Sequence, residues 1–139
     1  MPPSVVKLIT SDNETFEVPY PTVRHLAVVR YLVDDLDGFG PELESIPLPS
    51  VHSEILRIVI DWADHHKDEE DLIEDEARES QLGEWDKALL DSVDNQTLRA
   101  IMCAANYLEV KGLMNATAKV FAQRLEGLSA KQMREVMFH

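Results

Sequence analysis

The chain has 139 residues, 45% of them hydrophobic, and its 26 acids and 13 bases give a formal net charge of −13. This length fits one domain with its own core. The charge excludes nucleic acid and disfavours an anionic membrane, because both attract basic proteins. The sequence has no signal pattern and no apolar run of the roughly 18–20 residues that span a membrane. We therefore expect an intracellular protein in a reducing compartment, the cytoplasm and the nucleus.

The N-terminal half predicts a small sheet with helices. Alternating apolar side chains on both sides of a polar turn indicate a hairpin, which prolines then end because proline cannot donate to a ladder. Helical apolar spacing follows, and the sequence Ile-Pro-Leu-Pro is typical of an extended edge strand. The predicted elements are strands over 5–10 and 15–18, a helix over 22–36, a loop over 37–41, a short strand over 46–49 and a helix from its cap Ser50 to about His66.

An acidic run divides the chain. Residues 68–79 hold eight acids and one base, Arg78. Such a run repels itself and stays solvated, so we expect a flexible connection. Trp85, which follows the run, is interpreted either as an anchor that pins this connection to the domain, as an interface residue, or as ordinary packing.

The C-terminal third predicts three helices. Asp94 caps the first, Gly112 marks the junction with the second, and Gly127 ends the second. Ser129 and Gln132 form a capping box that starts the last helix, which bears Met133, Val136 and Met137.

The sequence offers no convincing catalytic or metal site, so we expect no enzyme activity and no cofactor. Cys103 lies in the apolar run 101–105 and is interpreted as a buried thiol. His65 and His66 point about 100° apart on a helix, which disfavours joint metal ligation. The acids of the run lack the order of a calcium-binding loop.

Several stretches in order resemble the S-phase kinase-associated adaptor family, which links F-box proteins to cullins. The most specific is Ala-Ala-Asn-Tyr-Leu-Glu-Val-Lys-Gly-Leu at 104–113. The others are 6–12, 16–18, 46–51, 59–62, 65–68 and 85–86. The related elongin-type adaptors normally stop after the Asn-Tyr-Leu helix, so the further C-terminal residues here argue against them.

The resemblance implies an α/β (α+β) fold, in which a BTB/POZ-type domain of three short strands and helices precedes helices that bind an F-box. It divides the chain into 1–67 and 85–110, which form the BTB/POZ-like part, the acidic loop 68–84, and the extension 111–139. It assigns cullin binding to Asn106, Tyr107, Pro47 and Leu48, and F-box binding to Leu98, Met102, Met114, Ala118, Phe121, Leu125, Met133 and Met137.

The resemblance also implies the function of a non-enzymatic adaptor in an SCF-type ubiquitin ligase, with an F-box protein and a cullin as partners. Family members normally continue past Met137 with another helix, so we expect weaker or more selective F-box binding, and a homodimer is left open when no F-box partner is present. The alternative is a structural role outside ligases, for example at a kinetochore. The third hypothesis is an enzyme that uses Cys103.

Overall fold

The computed structural model describes residues 5–35, 45–67 and 83–138. The predicted loop at 37–41 and the acidic run at 68–79 lie outside these residues. Within them the mixed α/β class is confirmed. The elements are β1 Val5–Ile9, β2 Thr15–Pro19, α1 Tyr20–Val23, α2 Ala27–Asp35, β3 Ile46–Pro47, α3 Ser53–His65, α4 Glu84–Asp91, α5 Asn95–Leu108, α6 Lys111–Leu125 and α7 Ala130–Phe138.

The three strands form one sheet in the order β2-β1-β3. β1 pairs antiparallel with β2, so the predicted hairpin is confirmed, and parallel with β3, where Leu8 faces Ile46. Asn13 takes a left-handed conformation in the hairpin turn, with φ of 64°, which asparagine tolerates better than most residues. Alternate side chains of β1, such as Leu8, enter the core, as the period of two requires.

The predicted helix over 22–36 is wrong as a single element. It begins at Tyr20, with Pro21 in its first turn, and breaks after Val23 before α2 starts at Ala27. Proline suits a first turn because its missing N–H would be unpaired there anyway. The break leaves Val23 and Leu26 both fully buried. Packing of these two side chains therefore determines where the helix is interrupted, which helical spacing alone does not show.

α3 begins two residues later than predicted, because its cap is His52 rather than Ser50. The His52 imidazole accepts a hydrogen bond from the backbone N–H of Glu54 at 3.3 Å. The inner face of α3 includes Leu56, Val59 and Trp62, and it packs on α5.

α5 and α6 form the centre of the helical layer. Asp94 caps α5 as predicted by accepting from the Thr97 N–H at 2.7 Å. The junction is Glu109, which is left-handed with φ of 55°, and Val110. Gly112 is therefore not the junction; it lies in the first turn of α6, where a Cβ would be 2.7 Å from the Trp62 ring.

The last helix follows its predicted signals. Gly127 has φ of +76° after the end of α6. The capping box is confirmed, because the Ser129 N–H donates to Gln132 Oε1 at 2.9 Å and the Gln132 N–H donates to Ser129 Oγ at 3.2 Å. Unlike α5, α7 is exposed along most of its length. No helix in the described parts of the chain is long and apolar enough to span a bilayer.

Candidate partner-binding surfaces

The last two turns of α5 present a surface of three side chains. Asn106 and Cys103 are exposed, and Tyr107 is 44% exposed. Cys103 lies three residues before Asn106 and four before Tyr107, so the three share one face of the helix. The expectation of a buried Cys103 is wrong: Ile101 and Ala104 face the core, and position 103 turns outward between them.

An open groove lies beside this surface, and we call it the α3–α5 groove. Its volume is about 290 Å³, just below the roughly 300–1,000 Å³ of small-molecule pockets. One wall is the start of α3 and the residues before it, and the other is α5. The groove is lined by Ser50, Val51, His52 and Ile55 on the first side and by Ala100, Cys103, Ala104 and Tyr107 on the second.

The hairpin fixes the α3 wall of the groove. Asp12 accepts hydrogen bonds from the Ser53 hydroxyl at 2.6 Å, the Ser53 N–H at 3.0 Å and the Thr10 hydroxyl at 2.6 Å. These bonds, led by the one from the Ser53 hydroxyl, lower the pKa of the Asp12 carboxyl well below its usual value. His52 Nε2 lies 3.5 Å from the same carboxylate. A residue 41 positions away thus helps to hold the first turn of α3.

Pro47 and Leu48, which the resemblance assigns to the cullin surface, differ in access. Pro47 is exposed on the edge strand, whereas Leu48 is 2% exposed, and its N–H donates to the Ile9 carbonyl at 2.7 Å. The Val51 N–H donates back to the Leu48 carbonyl at 3.1 Å, so Leu48 supports the wall of the groove from inside. Of the two, only Pro47 offers its side chain to a partner.

The residues assigned to F-box binding fall into three groups. Leu98 and Phe121 are buried in the core, so their side chains offer almost no surface to a partner. The others lie at or near the surface, apart from the side chain of Met137, which is outside the described part. Met102, Met114 and Leu125 are half-buried, and Ala118 and Met133 are exposed. We call these five residues the methionine-rich surface.

Arg124 links three helices of the C-terminal part through hydrogen bonds. Its guanidinium donates to Asn95 Oδ1 at 2.8 Å and to the carbonyls of Leu90 and Val93 at 3.0 and 2.7 Å. It thereby joins the end of α4, the start of α5 and the last turn of α6. The pKa of the neighbouring Asp94 is lowered by hydrogen bonds from the side chain and backbone of Thr97.

A ring cluster that sequence reasoning missed joins the two sides of the acidic run. The rings of His65 and Trp85 stack at 3.8 Å and 1°, and the His66 ring lies 4.4 Å from that of Trp62. His66 Nε2 donates to Asp86 Oδ1 at 2.7 Å, and both side chains are largely buried. Trp85 thus packs against α3 and is still 38% exposed, so it both contacts the domain and offers surface to a partner. The helix that carries it, α4, which starts at Glu84, was not predicted.

The exposed features of the described residues are surfaces to which a partner could bind. Within residues 5–35, 45–67 and 83–138, no three His, Cys, Asp or Glu side chains converge as a metal site would require. The two surfaces that do stand out are the exposed end of α5 with its groove and the methionine-rich surface.

Comparison with known proteins gives these surfaces a context. Residues 4–68 match the family described as "Skp1 family, tetramerisation domain". The chain is 38% identical to a Skp1-related protein of Caenorhabditis elegans, over 93% of this chain and 77% of that protein. It is 34% identical to suppressor of kinetochore protein 1 of Schizosaccharomyces pombe, over 95% and 83% of the two chains. It is 28% identical to the E3 ubiquitin ligase complex SCF subunit sconC of Arthroderma otae, over 95% and 81%.

Proposed function

This chain belongs to the Skp1 family, and on that premise we propose that it is the adaptor subunit of an SCF-type ubiquitin ligase. It links F-box substrate receptors to a cullin scaffold. The relative from Arthroderma otae is itself an SCF subunit, which favours this role over the alternative outside ligases.

The observation that carries the proposal is that one helix serves two surfaces. On α5, Met102 belongs to the methionine-rich surface and Tyr107 to the exposed end beside the groove. Five residues at 100° each place them about 140° apart around the helix. Two partners can therefore bind on different sides of one rigid element.

The proposed mechanism is geometric and needs no active site. Fixing a receptor at one end of a scaffold raises the effective concentration of its substrate near the ubiquitin-transfer machinery. Stiffness is what the adaptor must supply, and the buried helices α5 and α6, locked by Arg124, supply it. The chain is accordingly proposed to be non-enzymatic.

The cullin surface is tested at Asn106 and Tyr107. An aromatic ring with a polar tip is a common anchor of protein interfaces. The double variant Asn106→Lys and Tyr107→Ala is expected to lose at least ~2 kcal/mol of cullin affinity by calorimetry. Both side chains are exposed, so the melting temperature should hardly change.

The F-box surface provides the matched control. Met133→Glu places a charge on the methionine-rich surface. It should lower the affinity for an F-box segment while leaving cullin affinity as in the wild type. Unchanged cullin affinity in the Asn106/Tyr107 variant would remove those residues from the cullin site. F-box affinity unchanged by Met133→Glu would remove α7 from the F-box site.

The proposed homodimer uses the same methionine-rich surface. Apolar side chains exposed by an unbound adaptor favour self-association. Sedimentation of the chain alone should then show a dimer that an excess of F-box segment dissociates. A monomer at all concentrations would argue against this part of the proposal.

A further inference from the structure

We propose that Ser11 is a phosphorylation site for an acid-directed serine kinase, and that a phosphate there weakens the contact between the β1–β2 hairpin and the start of α3. The proposal goes beyond the adaptor function and does not depend on it. It starts from the sequence of the hairpin turn, which is Ser-Asp-Asn-Glu at 11–14.

The charge pattern that follows Ser11 occurs once in the chain. Of all its serines and threonines, only Ser11 has a carboxylate both one and three residues later, at Asp12 and Glu14. A kinase with basic residues beside its active site selects such a serine, because opposite charges hold the substrate in place and a substrate with basic residues there is repelled. The pattern therefore indicates the class of enzyme that acts on this turn.

The turn leaves the Ser11 hydroxyl accessible. Ser11 and the four residues after it are all exposed. The hydroxyls of Thr10 and Ser53 both donate to the Asp12 carboxylate at 2.6 Å. The Ser11 hydroxyl, by contrast, makes no hydrogen bond within the described parts of the chain. Only its backbone is held, because the Ser11 N–H donates to the Val51 carbonyl at 2.8 Å, so the hydroxyl reacts without the loss of a bond of its own.

The reaction needs the kinase and ATP as co-substrate. The Ser11 oxygen attacks the γ-phosphorus of ATP while the bond from that phosphorus to the bridging oxygen breaks, and ADP leaves with the electron pair. The hydroxyl proton passes to the catalytic aspartate of the kinase. The product carries a phosphate with a charge of about −1.5 to −2 at pH 7 directly before Asp12.

This added charge acts on the contact that Asp12 makes with α3. The Asp12 carboxylate accepts from the hydroxyl and from the N–H of Ser53, the first residue of α3, and His52 Nε2 lies 3.5 Å from it. A dianion on the preceding residue repels the carboxylate and competes for His52. Asp12 then holds Ser53 less firmly, and the first turn of α3 is less well fixed.

The first experiment tests the site. The purified chain is incubated with ATP and casein kinase 2, an acid-directed serine kinase, and is expected to gain one phosphoryl group, which peptide mapping places on Ser11. Ser11→Ala should gain none, and Glu14→Gln should react about tenfold more slowly or less. Glu17→Gln removes a carboxylate six residues after Ser11 and should react within about threefold of the wild type. No incorporation, or a phosphate on another residue instead, would overturn the assignment.

The second experiment tests the consequence at two matched amides. An aspartate accepts from the N–H of Ser53 at 3.0 Å and from that of Thr97 at 2.7 Å, but only the first aspartate adjoins Ser11. In the phosphorylated chain the Ser53 amide should exchange with solvent several-fold faster by nuclear magnetic resonance, and the Thr97 amide at its former rate. The melting temperature should fall by a few degrees. An unchanged rate at Ser53 would overturn the proposed weakening of the contact.

A pair of variants separates the charge from the size of the added group. The side chains introduced by Ser11→Glu and Ser11→Gln have nearly the same shape and differ in charge. At pH 7 Ser11→Glu should have the lower melting temperature, and the difference should narrow in about 1 M salt, because screening weakens the repulsion between exposed charges. Equal melting temperatures at low salt would show that a charge at position 11 does not act on the Asp12 contact, and would overturn that half of the proposal.

Discussion

The central helix pair and the terminal helix are built on different principles. α5 and α6 bury Leu98, Leu108 and Leu113 completely, and they contact elements from far along the sequence. α7 exposes most of its side chains, and its capping bonds join residues only three apart. The first region derives its stability from tertiary packing and the second from local signals, so the first suits a rigid scaffold and the second a surface that a partner completes.

The largest expected effect contrasts one side chain from each region. Leu98→Ala removes a fully buried side chain of α5 and should cost about 2–5 kcal/mol of unfolding free energy. Met133→Ala, at a position that is 37% exposed, should stay within about 0.5 kcal/mol. Urea denaturation with an unchanged m value measures both. Equal losses would show that α7 is part of the core and would end the comparison.

The second prediction concerns the close approach of Gly112 in α6 to the Trp62 ring of α3. Gly112→Ala would place a methyl group 2.7 Å from the buried Trp62 ring. Alanine is the better helix former by about 1 kcal/mol. Overpacking costs about 1–3 kcal/mol, and the neighbouring His66 ring restricts any shift of the indole, so a net loss of stability is expected.

A double-mutant cycle identifies the cause of that loss. If the overlap is responsible, Gly112→Ala should be neutral or stabilising in a Trp62→Phe background, because the smaller ring leaves room for the methyl group. Thermal unfolding of the four proteins measures the coupling. An equal loss in both backgrounds would mean that the backbone, and not the tryptophan, requires the glycine.

The sequence predicted the features that depend on local signals and missed those that depend on tertiary packing. The hairpin, the edge strand, the Asp94 cap and the Ser129 capping box rest on neighbours a few residues apart, and the structure confirms them. The break after Val23 and the Trp62 contact of Gly112 depend on residues distant in the sequence, and the sequence did not predict them.

The sequence predicted the exposed helix end of the candidate sites but not the burial of each side chain or the groove. The motif placed Asn106 and Tyr107 at an exposed helix end, and they are exposed. An apolar run does not show which face of a helix is buried, so Cys103 was assigned to the core although it lies on the outer face. The family resemblance assigned Leu98 to the F-box surface, although its side chain is buried. The groove joins residues about 50 positions apart and has no local signal.

A third prediction compares the two caps. Ser129→Ala should destabilise α7 locally by about 0.5–2 kcal/mol, so hydrogen exchange of residues 130–138 should quicken several-fold while the global midpoint stays unchanged. Asp94→Ala removes the cap of a buried helix and should lower the global midpoint itself. A drop in the global midpoint for Ser129→Ala would show that α7 unfolds together with α5.

The smallest expected effect is a change in pH dependence at the hairpin. Asp12 reaches α3 over 41 residues and accepts from both donors of Ser53. Its pKa is lowered in the folded state, so the folded protein binds fewer protons here than the unfolded chain, whose Asp pKa is about 3.9. This contribution is present above that value and is lost as the pH falls through the folded pKa.

In Asp12→Asn the melting temperature should be lower than in the wild type at pH 7, and the difference should shrink steadily below about pH 4. A constant difference from pH 7 to pH 2.5 would mean that the shape of the Asp12 side chain, and not its charge, holds the hairpin to α3. The contact of Asp12 with Ser53 would then be as independent of protonation as the Ser129 cap of α7.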